Sequence, residues 1–230
     1  MEPSRQIRKL SKDGSTRATD EFYNTLISLT GAGLALIGSI RLVWMAVAAD
    51  KPWHIWSFSI YGVSLVCLFI ASALHHGVDG SEKLNLRFRQ IDYYAIFTMI
   101  AGTFTPFCLI LFRNRLGYSV LGLVWFLAIF GIFLKAVFPH LPKWISTSLY
   151  LLMGWLAVVL VKAVYQAVPW GFVGLAVGGF FFSVGAVIFS IEKPNPVPGR
   201  FGFHEIWHLF VLAGAACHFA VIYFCLSPLP

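Results

Sequence analysis

Residues Phe203 to Tyr223 read Phe-His-Glu-Ile-Trp-His-Leu-Phe-Val-Leu-Ala-Gly-Ala-Ala-Cys-His-Phe-Ala-Val-Ile-Tyr, a run long and apolar enough to cross a bilayer as one helix. His204 and His208 open it one helical turn apart. Residues i and i+4 differ by about 40° in direction and about 6 Å in height, so both imidazoles can close on one ion. Ionisable side chains at membrane depth are costly and are candidates for function. The run therefore predicts a buried metal site at a membrane boundary, with a third ligand from elsewhere in the chain.

Six further apolar stretches precede it: about Tyr23 to Ala46, Trp53 to Leu74, Ile91 to Phe112, Leu116 to Val137, Trp144 to Tyr165 and Trp170 to Ile191. Of the 230 residues, 58% are hydrophobic and only 12% charged, against about 25% charged in soluble proteins. The expected fold is an all-α polytopic membrane protein, a seven-transmembrane helix bundle filling residues 21–230. Residues 1–20 hold Arg5, Arg8, Lys9, Lys12 and Arg17 but lack the apolar core of a cleavable signal, so they read as a basic cytosolic tail.

With a cytosolic amino terminus, that tail and the even-numbered loops hold twelve basic residues: those five with Lys83, Arg87, Arg89, Lys135, Lys143, Lys193 and Arg200. The opposite side receives five: Arg41, Lys51, Arg113, Arg115 and Lys162. The asymmetry predicts amino terminus in, carboxyl terminus out. It also explains the net charge of +7 without a nucleic-acid partner, because the basic residues flank the spans and form no patch with interleaved aromatics. Cys67, Cys108, Cys217 and Cys225 lie within spans without a Cys-x-x-Cys spacing and read as small buried apolar residues. Trp44, Trp53, Trp56, Trp144 and Trp170 stand near span ends, as interfacial anchors do.

Short connections such as Asp50-Lys51-Pro52, Arg113-Asn114-Arg115 and Pro139-His140-Leu141-Pro142 predict consecutive antiparallel helices. Small residues at Gly31-Ala32-Gly33, Gly174 to Gly179 and Ala213 to Ala216 predict close helix contacts, and Pro106 predicts a kink in the third span.

The second span ends Ser72-Ala73-Leu74-His75-His76, the third begins Ile91-Asp92-Tyr93, and the seventh begins at the same membrane face. Ser72, His76, Asp92, His204 and His208 can thus share one level. His76, His204 and His208 match the three protein ligands of a catalytic zinc site, and Asp92 supplies a carboxylate against the ion's charge. His75 points about 100° away from His76 and reads as an interfacial residue. His218, about 15 Å beyond His208, cannot join the same coordination sphere. His54 and His140 read as solvated span-end residues. Glu21 and Asn24 serve either as groups supporting the site or as an ordinary helix start.

These residues resemble the progestin and adipoQ receptor superfamily, most closely its bacterial haemolysin III branch, over nearly the whole chain. The carrying motifs are Glu21-x-x-Asn24, Ser72-x-x-x-His76, Asp92-Tyr93 and His204-Glu205-Ile206-Trp207-His208-Leu209-Phe210 with downstream His218. The resemblance implies a place in a bacterial inner (plasma) membrane and a cytosol-facing Zn2+ site with His76, His204 and His208 as ligands and Asp92 and Ser72 as the supporting polar pair. It also implies amide hydrolysis of lipids, since eukaryotic relatives are linked to ceramide cleavage. One departure is Ser28, where haemolysin III-like chains are expected to carry histidine.

The leading expectation is zinc-dependent hydrolysis of an amide or ester bond in a membrane lipid, with Asp92 orienting or deprotonating water and Ser72 holding the water or the oxyanion. Two alternatives stand beside it. His-Glu-x-x-His is also the zincin signature, which would make Glu205 the base of an intramembrane metalloprotease. A sensor or receptor could instead use the zinc as a structural staple between helices.

Overall fold

Seven helices carry the chain back and forth: α1 (Glu21–Ala48), α2 (Pro52–Gly77), α3 (Glu82–Leu111), α4 (Arg115–Val137), α5 (Lys143–Ala167), α6 (Pro169–Ile191) and α7 (Phe203–Leu226). Each is long and apolar enough to span a membrane, and the described residues form no β-strand beyond one isolated bridge, Val197 to Phe201. The computed structural model describes residues 21–198 and 200–229. The expected basic tail, residues 1–20, lies outside them.

Local chemistry sets the helix limits. Pro52 and Pro169 sit in the first turns of α2 and α6, where a missing N–H costs nothing. Asn114 caps α4 through Gly117 N–H to Oδ1 at 3.0 Å, and Glu192, at φ 54°, stops α6 in the left-handed region. Ser81 caps α3 through Leu84 N–H at 3.3 Å, with Glu82 complementing the helix dipole in the first turn. This start lies nine residues before the expected Ile91, so Asp92 stands about 15 Å inside the helix rather than at its mouth. A cap and a charge-complemented turn outweigh the polarity of residues 82–90.

Pro106 leaves its helix one hydrogen bond short, and the following Phe107–Leu111 segment winds as a π turn closed by Phe112 N–H to Phe107 O at 3.0 Å. The fifth span is broken too. Its ends are α-helical, but Leu156–Leu160 tightens to a 3-10 turn.

Helix α1 packs along α2, α2 along α3, α6 along α7, and α7 returns to α1. The close approaches use glycine: a Cβ at Gly31 would enter the Phe69 ring, one at Gly178 the His218 ring, and one at Gly214 the Phe182 ring. One core cluster joins α1, α2, α3 and α7, and a second joins α3, α4 and α5. The outer surface is apolar, with Ile37 and Phe224 strongly exposed, as a lipid-facing surface requires.

Several expectations change here. His54 is buried, with its Nε2 3.2 Å from Leu226 O, because the end of α7 folds over it. Lys51 holds that end down by donating to the carbonyls of Ser227, Pro228 and Leu229 at 3.2, 3.3 and 2.6 Å. His140 is exposed, as expected. All four cysteines are free, but Cys67 faces outward rather than into the core.

Candidate metal centre

The last turn of α2, the first turns of α7, the third turn of α3 and the start of α1 converge at one end of the bundle. His76 and His208 approach Nε2 to Nε2 at 3.1 Å. The ring centroids of His76, His204 and His208 lie 4.8 to 5.0 Å from one another, and one nitrogen from each falls within a 4.8 Å group. All three residues are buried. The triad could hold a metal ion.

The spacing has a physical reading. Two ligands at about 2.05 Å from a tetrahedral zinc stand roughly 3.3 Å apart. Two nitrogen lone pairs at such a separation repel unless a proton or a cation lies between them. His76 Nδ1 is 2.6 Å from Glu21 Oε2, and a carboxylate can only accept, so Nδ1 carries the hydrogen and Nε2 turns its lone pair to the centre. A carboxylate behind a ligating histidine is the arrangement that fixes tautomer and ring orientation at metal sites. Of the two roles left open for Glu21, this contact favours support of the site.

Asn24 and Ser28 continue the inward stripe of α1. Ser28 Oγ lies 2.9 Å from Ser72 Oγ, tying α1 to α2 beside the histidines. Asn24 is fully buried, and neither atom of its amide has a hydrogen-bond partner among the described residues. The sequence carries a signal for this stripe, because Glu21, Asn24 and Ser28 follow helical spacing, and Ser28 sits where it can back Ser72.

His75 is buried, not interfacial, and with His76 and Asp92 forms a second group whose ligand atoms lie within 4.8 Å of one another. Its 100° offset on the helix points it toward α3 rather than outward. His218 lies away from the triad, its Nε2 3.4 Å from Leu175 O. Glu205 joins neither histidine group. Its Oε2 accepts Gly202 N–H at 2.7 Å, while Asn195 Oδ1 accepts Phe203 N–H at 3.2 Å, so Glu205 and Asn195 together cap the helix that presents His204 and His208.

Two cavities meet at Asp92. One, of about 550 Å³, is lined almost wholly by apolar side chains of α2, α3, α5, α6 and α7 and reaches Ser72, Asp92 and His208 at its polar end. The other, of about 30 Å³, holds Asp92, His75, His204 and His208 together with Lys135 and Lys143. The larger matches the volume of small-molecule sites, roughly 300–1,000 Å³.

Fold and site together define a seven-helix integral membrane protein with a buried histidine cluster opening on an apolar chamber. The chain matches the family described as Haemolysin-III related over residues 16–219, and it belongs to that family. It is 38% identical to Hemolysin-3 of Bacillus cereus over 210 residues, covering 91% of this chain and 93% of that one. The Hemolysin-3 homolog of Bacillus subtilis (strain 168) is 37% identical, with coverages of 90% and 95%. The human Monocyte to macrophage differentiation factor is 28% identical over 194 residues, or 82% of this chain and 77% of its own.

Proposed function

We propose that this protein is a metal-dependent hydrolase of an amide or ester bond in a membrane lipid, with zinc as the metal, held by His76, His204 and His208. The observation that carries the reading is the junction at Asp92, whose carboxylate borders both the histidine group and the 550 Å³ apolar cavity. A structural staple has no use for a chamber of that size ending in a carboxylate, a serine hydroxyl and a metal-ligating imidazole.

The donor set fits a divalent ion. Three neutral imidazoles leave its charge of two uncompensated, and Glu21 and Asp92 supply two negative charges nearby. When bound, such an ion provides Lewis acidity toward a carbonyl and acidifies water. The remaining chemistry belongs to side chains. The apolar cavity takes an acyl chain and keeps bulk water out, leaving the scissile carbonyl at Asp92. Asp92 removes a proton from the attacking water as its oxygen bonds to the carbonyl carbon, then returns that proton to the leaving amine or alcohol as the C–N or C–O bond breaks. Ser72 donates to the developing oxyanion; its 2.9 Å contact with the Ser28 hydroxyl, in which either oxygen can donate, lets Ser28 take the donor role and free the Ser72 hydrogen for substrate.

The capping contact of Glu205 counts against the protease alternative, since its Oε2 is committed to Gly202 N–H. The excess of basic residues on one side supports a cytosolic site and a cytosolic amino terminus. The bacterial relatives support a plasma-membrane location. The test is release of fatty acid from total membrane lipid by the purified full-length chain, compared with Asp92→Asn and His76→Ala. Release by the unmodified chain and loss in both variants is expected; equal release from all three rejects the mechanism.

A further inference from the structure

A lysine near the end of a membrane helix ordinarily extends its stem so that the ammonium reaches water. Lys135, in the last turn of α4, does the opposite. It is 4% exposed, and its amine faces the 30 Å³ pocket beside Asp92. Its contacts are one long hydrogen bond to Leu141 O at 3.5 Å and the face of the Tyr93 ring at 4.4 Å from the amine. Among the described residues no carboxylate lies within 4.0 Å of it. Lys143 lines the same pocket, and its amine reaches Glu192 at 3.6 Å. Two ammonium groups thus line one small chamber, with Asp92 as the carboxylate in its wall.

The remaining wall also favours an anion at the lysine end. Ser146, 5% exposed, lines the pocket, and its hydroxyl forms no side-chain hydrogen bond among the described residues. Helix α5 begins here with no side-chain cap, so the positive end of its dipole faces the lysines. Asp92, in the same lining with His204 and His208, repels an anion and so favours its seat at the lysines. Positive-inside topology accounts for exposed basic residues such as Arg87, but not for an ammonium turned inward from the surface.

We propose that Lys135, Lys143 and Ser146 form a subsite for the phosphate of an anionic lipid headgroup. The two cavities share Asp92, Ile96, Tyr150, Trp207 and His208, so one lipid can lay its chain in the larger and its headgroup against the lysines, with the carbonyl between them. The smaller cavity has room for about two water molecules, less than a whole headgroup. The phosphate oxygens therefore enter from the mouth, where the partly exposed Lys143 amine stands. This assignment names a substrate class for the hydrolase reading, but binding alone reads it out. A chain that discriminates headgroups without cleaving lipid keeps this proposal and removes the other; cleavage without discrimination does the reverse.

The experiment is equilibrium binding of labelled lysophosphatidylglycerol, and of the phosphate-free monoacylglycerol with the same acyl chain, to the full-length protein in a non-ionic detergent. The anionic lipid is expected to bind about tenfold more tightly, the size of a charge-assisted hydrogen bond. Lys135→Met, which keeps the apolar stem, should erase that preference and leave monoacylglycerol binding unchanged; Lys135→Arg should keep most of it. Lys143→Met, at a partly exposed position, should lower the preference without loss of folding and serves if Lys135→Met is unstable. Arg87→Gln controls for general surface charge and should change nothing. Equal binding of the two lipids to the unmodified chain, or an Arg87→Gln loss as large as that of Lys135→Met, overturns the proposal. Inorganic phosphate displacing the lipid at equal affinity overturns the headgroup assignment in favour of a free-anion site.

Discussion

Replacing Glu21 probes the histidine cluster without touching a candidate ligand. The Glu21 carboxylate accepts from His76 Nδ1 at 2.6 Å, and the His76 side chain is 1% exposed while that of Glu21 is 23% exposed. The bond fixes the tautomer and raises the basicity of the opposite nitrogen, and loss of such a partner typically costs about 10- to 100-fold in metal affinity. Glu21→Gln keeps an acceptor oxygen but not the charge, so a loss of about tenfold, roughly 1.4 kcal/mol, is expected. Glu21→Ala also frees the ring to rotate, and approaches about 100-fold, roughly 2.8 kcal/mol. Competition for zinc against a chromophoric chelator, on full-length protein in detergent, measures both. Unchanged affinity in both variants, with unchanged melting temperatures, would refute the role given to Glu21 and weaken the tautomer assigned to His76.

Other outcomes follow from the same geometry. Asp92→Asn should retain bound metal but lower lipid turnover by about 10²- to 10⁴-fold, as loss of a general base does, which metal analysis and fatty-acid release measured on one preparation will check. Glu205→Gln should keep turnover within a few fold and cost about 1 kcal/mol of stability through the weakened α7 cap, read by thermal unfolding; collapse of turnover with metal retained would revive the protease alternative. Gly179 lines the large cavity and has open space where a Cβ would stand, so Gly179→Leu should fold normally and discriminate against long acyl chains, seen as a rise in KM with chain length. Lys51→Met should lower the melting temperature, since three carbonyls lose their donor, with no change in metal content.

Much of this fold is legible in sequence because a bilayer imposes one rule: apolar runs of spanning length must be helices, and the loops between these are too short for anything else. The triad is legible for a related reason. His204 and His208 share a face by helical periodicity, and charge asymmetry puts His76 at the same membrane level. Legibility fails where position depends on packing between helices. His75 differs from His76 by only one residue, yet its inward direction depends on how α2 meets α3. Glu21 and Ser28 gain partners only when α1 lies against α2. The start of α3 is hidden by its polar first turns, which resemble a loop until the Ser81 cap is seen. Lys135 reads as an ordinary cytosolic-side charge, and only the folded bundle turns its amine inward.

The central claim is that imidazoles from the end of α2 and the start of α7 share one ion. X-ray absorption at the zinc edge, on the full-length chain loaded with zinc and freed of excess, tests it most directly. About one ion per chain is expected, with a first shell near 2.0 Å and the scattering pattern of three imidazoles, falling to weak or absent binding in His208→Ala. A first shell without imidazole scattering, or a spectrum and metal content unaltered by His208→Ala, would contradict the account.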